Sequence, residues 1–112
     1  MADKLEVIDI KKYTKDIDDK WKNFVLTTVN DHVIRVSVLN RDFHWHSHLN
    51  SDETFLVIEG ELFIDLEDRT ETVRAGQLFT VPKGVLHRTR PKGRVVNLTI
   101  EHKDCDVQGN AS

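Results

Sequence analysis

Four side chains that could bind a metal ion lie close together in the stretch DFHWHSHLNSDETFLVIEG, residues 42–60. His44, His46 and His48 occupy alternate positions, so a strand would place them on one face, and Glu53 follows shortly after. Same-face neighbours on a strand are about 7 Å apart, a span that two imidazoles can close onto one ion but a third cannot. Spacing alone permits either His44 with His46 or His46 with His48. Glu53 must return from the next strand, and the reversal at residues 49–52 favours His46 and His48, the pair nearest to it.

A second patterned stretch, GQLFTVPKGVLHRTRP, occupies residues 76–91. It contains Gly76, Pro82, Gly84 and His87, separated by five, one and two residues. In the first stretch, His46, His48, Glu53 and Gly60 are separated by one, four and six residues. In this order the two stretches resemble the two signature motifs of the cupin superfamily, with residues 61–75 between them. The resemblance implies a small antiparallel double-stranded β-helix, a jelly-roll barrel of the RmlC-like type, with a metal bound by His46, His48, Glu53 and His87.

Three imidazoles and one carboxylate suit a single divalent transition metal, which could be Fe, Mn, Ni, Zn, Co or Cu, and are too rich in nitrogen for Mg or Ca. Four protein ligands leave one or two coordination positions open for water or substrate, as in catalytic sites. Glu53 is also the candidate catalytic residue, because it could either stay bound or detach and act as a base. His44, Phe55 and Val57 are the candidate substrate-pocket residues. His44 could contact substrate or the metal ligands, or it could point to solvent at the mouth of the barrel.

A period of two along most of the chain predicts an all-β domain of short antiparallel strands. In HVIRVSVLN, Ile34, Val36 and Val38 share one face, and Arg35 and Ser37 are expected on a solvated face. Residues 11–23 resist this pattern and could form a single helical turn. The predicted strands are residues 5–10, 24–29, 32–40, 54–58, 61–67, 72–74, 77–81 and 94–101.

We expect a single cupin domain over residues 1–112, with the barrel core at about 24–101, an N-terminal strand at 5–10 and a flexible tail at 103–112. Gly60 and Gly76 are expected to end strands at positive φ. The turn at residues 82–84 should aim His87 into the barrel. Two departures from the cupin pattern are Asn40, expected to keep a positive-φ turn in place of glycine, and Pro91, expected to break the strand after His87 at residues 91–93.

Composition limits the choice of partners. The net charge of −3 argues against nucleic acid, and the alternating cations Arg88, Arg90, Lys92 and Arg94 are either a solvated edge or a rim that attracts a carboxylate-bearing substrate. No signal peptide and no membrane-spanning run is visible, which predicts a cytoplasmic protein with no membrane partner. The lone Cys105 has no basic neighbour that would mark it as a nucleophile. A homodimer is expected from the apolar outer positions Ile10, Val25 and Val29 and from the habit of cupins to pair.

Two functions from different classes follow from these patterns. The first is a metal-dependent enzyme of the dioxygenase, isomerase or cyclase type that acts on a small oxygen-bearing metabolite. The alternative is a non-catalytic, metal-assisted module that binds or senses a sugar or an organic acid, and a purely structural metal is a third option. Turnover separates the first from the second, because cupin folds host both and the fold does not choose between them.

Overall fold

Eight strands and one short helix make up the protein in a computed structural model, which describes residues 4–106 and 109–111. The elements are α1 (Ile10–Thr14), β1 (Trp21–Val29), β2 (His32–Leu39), β3 (His46–Ser47), β4 (Glu53–Asp65), β5 (Thr70–Arg74), β6 (Leu78–Val81), β7 (Arg88–His102) and β8 (Asn110–Ala111). The prediction of an all-β chain is confirmed.

Every strand pair is antiparallel. The main sheet has the order β1-β2-β7-β4-β5, and β6 pairs with the first half of β4, while β3 and β8 form a separate two-stranded ladder. An isolated bridge joins His46 to His87. β4 and β7 are long and pair along most of their length, with Glu53 opposite Glu101 at one end of β4 and Asp65 opposite Arg88 at its other end.

Both faces of β2 and β7 are buried, against different partners. One face joins an interior cluster that consists of Leu39, Phe55, Val57, Leu62, Ile64, Val73, Val81 and Val95. The other face joins an outer cluster of Leu26, Val36, Val38, Val96 and Leu98, against which Ile8, Ile10 and Ile17 pack. The expectation that Arg35 and Ser37 face solvent is therefore wrong. Ser37 is 5% exposed on the interior side, and Arg35 reaches a buried carboxylate there.

The N-terminal segment does not form the expected strand at residues 5–10. Leu5 has a φ of 70°, and Leu5 and Val7 are fully exposed, so the alternation buries nothing on that side. Asp9 instead caps α1 by accepting a hydrogen bond from the backbone nitrogen of Lys12 at 3.2 Å. Of the helical turn expected over residues 11–23, only the part up to Thr14 forms. Ile10 packs on the outer cluster of its own chain, and the homodimer stays a prediction.

The two strands predicted at residues 54–58 and 61–67 are one strand, β4, which passes through Gly60. Gly60 has the expected positive φ, 84°, but it lies at a register shift inside the strand rather than at its end. A Cβ at this position would lie 2.5 Å from the carbonyl oxygen of Arg94, so only glycine fits. Gly76 also has a φ of 84°, in the turn between β5 and β6, as predicted.

Pro91 does not end its strand, contrary to expectation. β7 continues from Arg88 to His102, and Pro91 lies opposite Leu62 of β4. The pairing of β7 with β2 involves residues 95–102 only, so Pro91 has a single neighbouring strand and its missing N–H costs no ladder bond on the other side.

Asn40 does not adopt positive φ; among the described residues other than glycine, only Leu5 and Asn30 do. Its side chain holds the turn by another means, donating from Nδ2 to the carbonyl oxygen of Asp19 at 2.8 Å.

The C-terminal tail, expected to be flexible over residues 103–112, packs against the barrel where the structure describes it; residues 107, 108 and 112 lie outside the described part. Asn50 donates to the carbonyl oxygen of Asp104 at 2.8 Å, and Asn110–Ala111 pair with His46–Ser47. Cys105 is 4% exposed, and burial together with the carboxylate of Glu101 raises the pKa of its thiol, which agrees with an unreactive cysteine. Within residues 4–106 and 109–111, no helix has the length and apolar content needed to span a bilayer.

Candidate metal centre

Three histidines and one glutamate meet inside one end of the barrel. His46 lies in β3, His48 follows it, Glu53 begins β4, and His87 immediately precedes β7. All four side chains are buried, and one potential ligand atom from each lies within 4.8 Å of those of the others. The structure thus brings together the four residues that the cupin resemblance implies. Of the two pairs that spacing permits, it is His46 and His48 that join Glu53.

Backbone hydrogen bonds fix the two loops that carry these residues. His46 and His87 exchange two bonds of 2.9 Å between their backbone N–H and C=O groups. The turn at residues 82–84 docks on the other loop, because the nitrogen of Gly84 donates to the carbonyl oxygen of His48 at 2.7 Å. The nitrogen of Lys83 donates to Oδ1 of Asp52 at 2.9 Å. The turn aims His87 inward, as predicted, and Gly84 adopts a φ of 81° there.

Two of the imidazoles are held in a defined tautomer. Nδ1 of His46 lies 2.8 Å from the carbonyl oxygen of His44, and Nδ1 of His87 lies 2.9 Å from that of Val85. Because a carbonyl oxygen only accepts, each Nδ1 carries the proton and each Nε2 presents a lone pair. His44 therefore contributes its backbone oxygen to the site, while its own ring is exposed at the surface.

Several buried polar atoms at the centre of the cluster have no hydrogen-bond partner. They include Nε2 of His48, Nε2 of His87 and Oε1 of Glu53. Oε1 lies 3.2 Å from the first nitrogen and 3.4 Å from the second, without the alignment of a hydrogen bond. Unsatisfied buried polar atoms are rare in folded proteins and costly. A transition metal ion would satisfy all of these atoms at once, so the residues present fit such an ion.

The protonation of the cluster also favours an ion. Burial, aided by the neighbouring histidines, lowers the pKa of His46 to about 4, so that its imidazole is neutral at pH 7. Burial acts against ionisation of Glu53, but the contacts with His48 and His87 prevail and lower its pKa to about 2. For His48, burial opposes the charge, yet the Glu53 carboxylate raises the pKa above its ordinary value. A proton on His48 would therefore compete with an ion for this ring.

A pocket leads to the cluster from the inside of the barrel. Its empty volume, including the open mouth, is about 430 Å³, and His46 and Glu53 line it. Of the three predicted substrate-pocket residues, only Phe55 also lines this pocket. Val57 is fully buried in the interior cluster, and His44 is on the surface with its ring tilted against that of Phe43, at 4.2 Å between centroids. The structure places neither Val57 nor the His44 ring in the lining of this pocket, and a substrate contact by either residue stays a prediction.

Sequence reasoning missed most of the polar residues of the pocket. Glu101, Asn97 and Thr99 of β7 line it together with Asn23 and Ser37. Their alternation with Val96, Leu98 and Ile100 was visible, but it is also what a strand with one solvated face shows. Burial and the nearby Glu53 raise the pKa of Glu101 to about 7, and Arg35 donates to its Oε1 at 3.0 Å.

The row of cations after His87 does not form an open basic rim. Arg88 and Arg90 both bind Asp65, and Arg94 binds Glu59 at 3.2 Å as well as two backbone carbonyls of the N-terminal segment. Lys92 lies 4.0 Å from Glu61. Arg88 and Arg90 share one carboxylate, and Lys92 shares Glu61 with Arg74, so most of the row is engaged in ion pairs that stabilise the barrel.

Comparisons with known proteins agree with the geometry. A family model described as a cupin domain matches residues 27–101. The protein YdbB of Bacillus subtilis is 44% identical over 93 residues, which are 82% of this chain and 82% of that protein. The structure of a cupin-2 domain containing protein from Shewanella frigidimarina superposes with a TM-score of 0.81 at 31% identity, covering 86% of this chain and 94% of that one. A protein from Neisseria meningitidis follows with a TM-score of 0.76 at 28% identity, over 87% of this chain and 99% of that one. These neighbours confirm the predicted double-stranded β-helix.

Proposed function

This chain belongs to the cupin family, and from that premise we propose that it is a metal-dependent enzyme acting on a small oxygen-bearing metabolite. One observation carries the proposal. Buried atoms of His48, Glu53 and His87 converge without hydrogen-bond partners beside a pocket that reaches the same cluster. A structural ion would be enclosed by protein on all sides, whereas this cluster is open toward the pocket through His46 and Glu53.

The four side chains would hold one divalent transition metal, which would supply Lewis-acid chemistry to substrate oxygens. The chain itself contributes orientation: the carbonyls of His44 and Val85 hold two of the rings so that Nε2 points inward. Glu53 can hold an ion or accept a proton. Its pKa of about 2 keeps the carboxylate ionised, which favours the role of ligand over that of base.

The test loads the purified protein separately with Fe, Mn, Ni, Co, Cu and Zn ions. Each form is incubated with hydroxy acids, dicarbonyls and sugars, and conversion is followed by NMR and by oxygen uptake. We expect one form to convert at least one compound, and we expect His87→Ala to lose both metal and conversion while remaining folded. His32→Ala is the matched control, because His32 is exposed and is not one of the four clustered residues.

Three results would contradict the proposal. A protein that takes up none of these ions would refute the metal site, and conversion that persists in His87→Ala would refute its role. Binding without conversion by every metal form would instead identify a non-catalytic module for a sugar or an organic acid.

A further inference from the structure

A row of polar side chains crosses the inside of the barrel next to the candidate metal ligands. Cross-strand neighbours place Asn23, Ser37 and Asn97 side by side on β1, β2 and β7, and Nδ2 of Asn23 donates to Oγ of Ser37 at 2.7 Å. Further along β7, Glu101 lies directly opposite Glu53 of β4. We call these four residues, Asn23, Ser37, Asn97 and Glu101, the polar wall. It begins beside a candidate metal ligand and continues along the pocket.

Two acceptor atoms of the polar wall have no partner. Oδ1 of Asn97 and Oε2 of Glu101 are buried without a hydrogen bond, in residues that are 1% and 2% exposed. Arg35 occupies only the other oxygen of Glu101. Both residues line the pocket. An unsatisfied buried acceptor costs free energy, and a ligand that brings O–H donors to the pocket would remove that cost.

The remainder of the pocket argues against an anionic group at this position. Among the described residues that line it, none is a lysine or an arginine, and Arg35, which lies beside the polar wall, is already engaged by Glu101 and Asn23. Next to the polar wall the lining of the pocket is apolar, with Trp21 and Phe43 stacked at 5.7 Å between ring centroids. A ligand that carries both hydroxyl donors and C–H groups would match such a pocket.

We propose that the polar wall binds hydroxyl groups of the substrate, which is therefore a small polyhydroxylated compound, with Glu101 and Asn97 determining that specificity. This inference rests on the proposed function for the position of the substrate beside the metal ligands. It narrows the substrate class, because it disfavours compounds that present an aliphatic group or a carboxylate to the polar wall.

Three four-carbon acids with the same α-hydroxy acid head test the inference. Erythronate carries further hydroxyls, 2-hydroxybutyrate ends in a methyl group, and malate ends in a carboxylate. Dissociation constants are measured by calorimetry on the Co-loaded protein. We expect erythronate to bind about tenfold more tightly than either of the others, as one hydrogen bond to a buried acceptor suggests.

The same titrations on two variants test which residues cause the preference for erythronate. Glu101→Gln and Asn97→Ala should each reduce the preference for erythronate to about threefold or less, without loss of metal and with little change for 2-hydroxybutyrate. Glu71→Gln makes the same chemical change as Glu101→Gln at a distant ion pair with Arg69, and it should keep the full preference. The Asn97 variant serves as the second probe if the loss of the Arg35 pair destabilises the Glu101 variant.

Equal affinities for the three acids, tighter binding of malate, or an unchanged preference in both variants would overturn the inference, and the wall would then be served by water alone. None of these results affects the metal assignment, which metal content measures separately. If no metal binds, erythritol is titrated into the metal-free protein by ligand-observed NMR. Binding that Asn97→Ala weakens supports the polar wall, and no difference between the two proteins overturns it.

Discussion

Two buried carboxylates, at the first and last residues of the same strand, have opposite surroundings. Asp65 ends β4 and accepts hydrogen bonds at both oxygens, from Arg88 at 2.9 Å, from Arg90 at 2.9 Å and from Thr70 at 2.7 Å. Glu53 begins β4, and its buried Oε1 has no hydrogen bond. Across the ladder to β7, Asp65 faces Arg88, whereas Glu53 faces another glutamate, Glu101.

The difference separates a structural site from one built for a ligand. Breaking a buried, fully paired charge costs stability, and the arginine contacts hold the pKa of Asp65 well below its usual range. In the described part of the chain, Glu53 has no arginine partner: its Oε1 lacks a hydrogen bond, Glu101 lies opposite, and the two histidines that lower its pKa are themselves candidate metal ligands. The Asp65 end of β4 therefore stabilises the barrel without a ligand, whereas the Glu53 end is suited to bind an ion.

The largest effect is expected from metal at the Glu53 end. An ion at about 1,000 times its dissociation constant should stabilise the wild-type protein by about 4 kcal/mol, because it binds the folded chain only. Glu53→Gln should lose most of that gain. Thermal unfolding with and without a chelator measures it, and a melting temperature that does not respond to metal would remove the distinction between the two ends.

At the Asp65 end, Asp65→Asn should destabilise the metal-free protein by about 3 kcal/mol, because Arg88 and Arg90 lose the charge they share. Urea unfolding gives the value, and Asp68→Asn, an exposed control, should change it by less than about 0.5 kcal/mol. The content of metal should stay the same in Asp65→Asn. Loss of metal from this variant would show that the two ends are coupled.

A fall in pH should affect the two ends of β4 in different pH ranges. A proton on His48 competes with the ion, and because its pKa is raised, metal affinity should begin to fall above the ordinary histidine value of about 6.5. The fall should approach tenfold per pH unit for each proton taken up. The Asp65 pairs, in contrast, contribute stability above the unfolded pKa of about 3.9, which is lost only as the pH falls below it. Full metal content at pH 5 would count against a three-histidine site.

The smallest effect is expected from Arg90→Lys, at about 1 kcal/mol. Arg90 binds Asp65 through two nitrogens and lies over the ring of Phe63 at 5.0 Å, and lysine can reproduce neither contact fully. Urea unfolding should show no measurable change for Arg69→Lys, a control whose ion pairs are exposed. Equal stability of Arg90→Lys and wild type would mean that the charge alone, and not its geometry, holds the Asp65 end.

The candidate metal residues could be predicted because the two stretches that carry them resemble the cupin motifs, whereas spacing alone left two histidine pairs open. His46, His48, Glu53 and His87 occupy motif positions, and Gly84 supplies the turn that returns the last of them to the others. The antiparallel strands followed from alternation in the same way. These features depend on short stretches of sequence, and the fold then brings the stretches together.

The inner face of the barrel could not be predicted from alternation. The pattern around Arg35 and Ser37 distinguishes two faces without indicating which one is inside, and here Ile8 and Ile17 from the N-terminal segment bury the apolar one. For the same reason, Asn97 and Glu101 could not be predicted as residues of the pocket. Pro91 was misjudged for a related reason, since only the strand order shows that it lacks a neighbour on one side.

Elemental analysis of protein purified without added metal tests the central claim most directly. We predict about one transition metal ion per chain in the wild type and in Asp65→Asn, and none in His46→Ala or His87→Ala, with all four proteins folded. A wild-type protein that contains no metal and gains none on reconstitution, or histidine variants that keep it, would contradict the account.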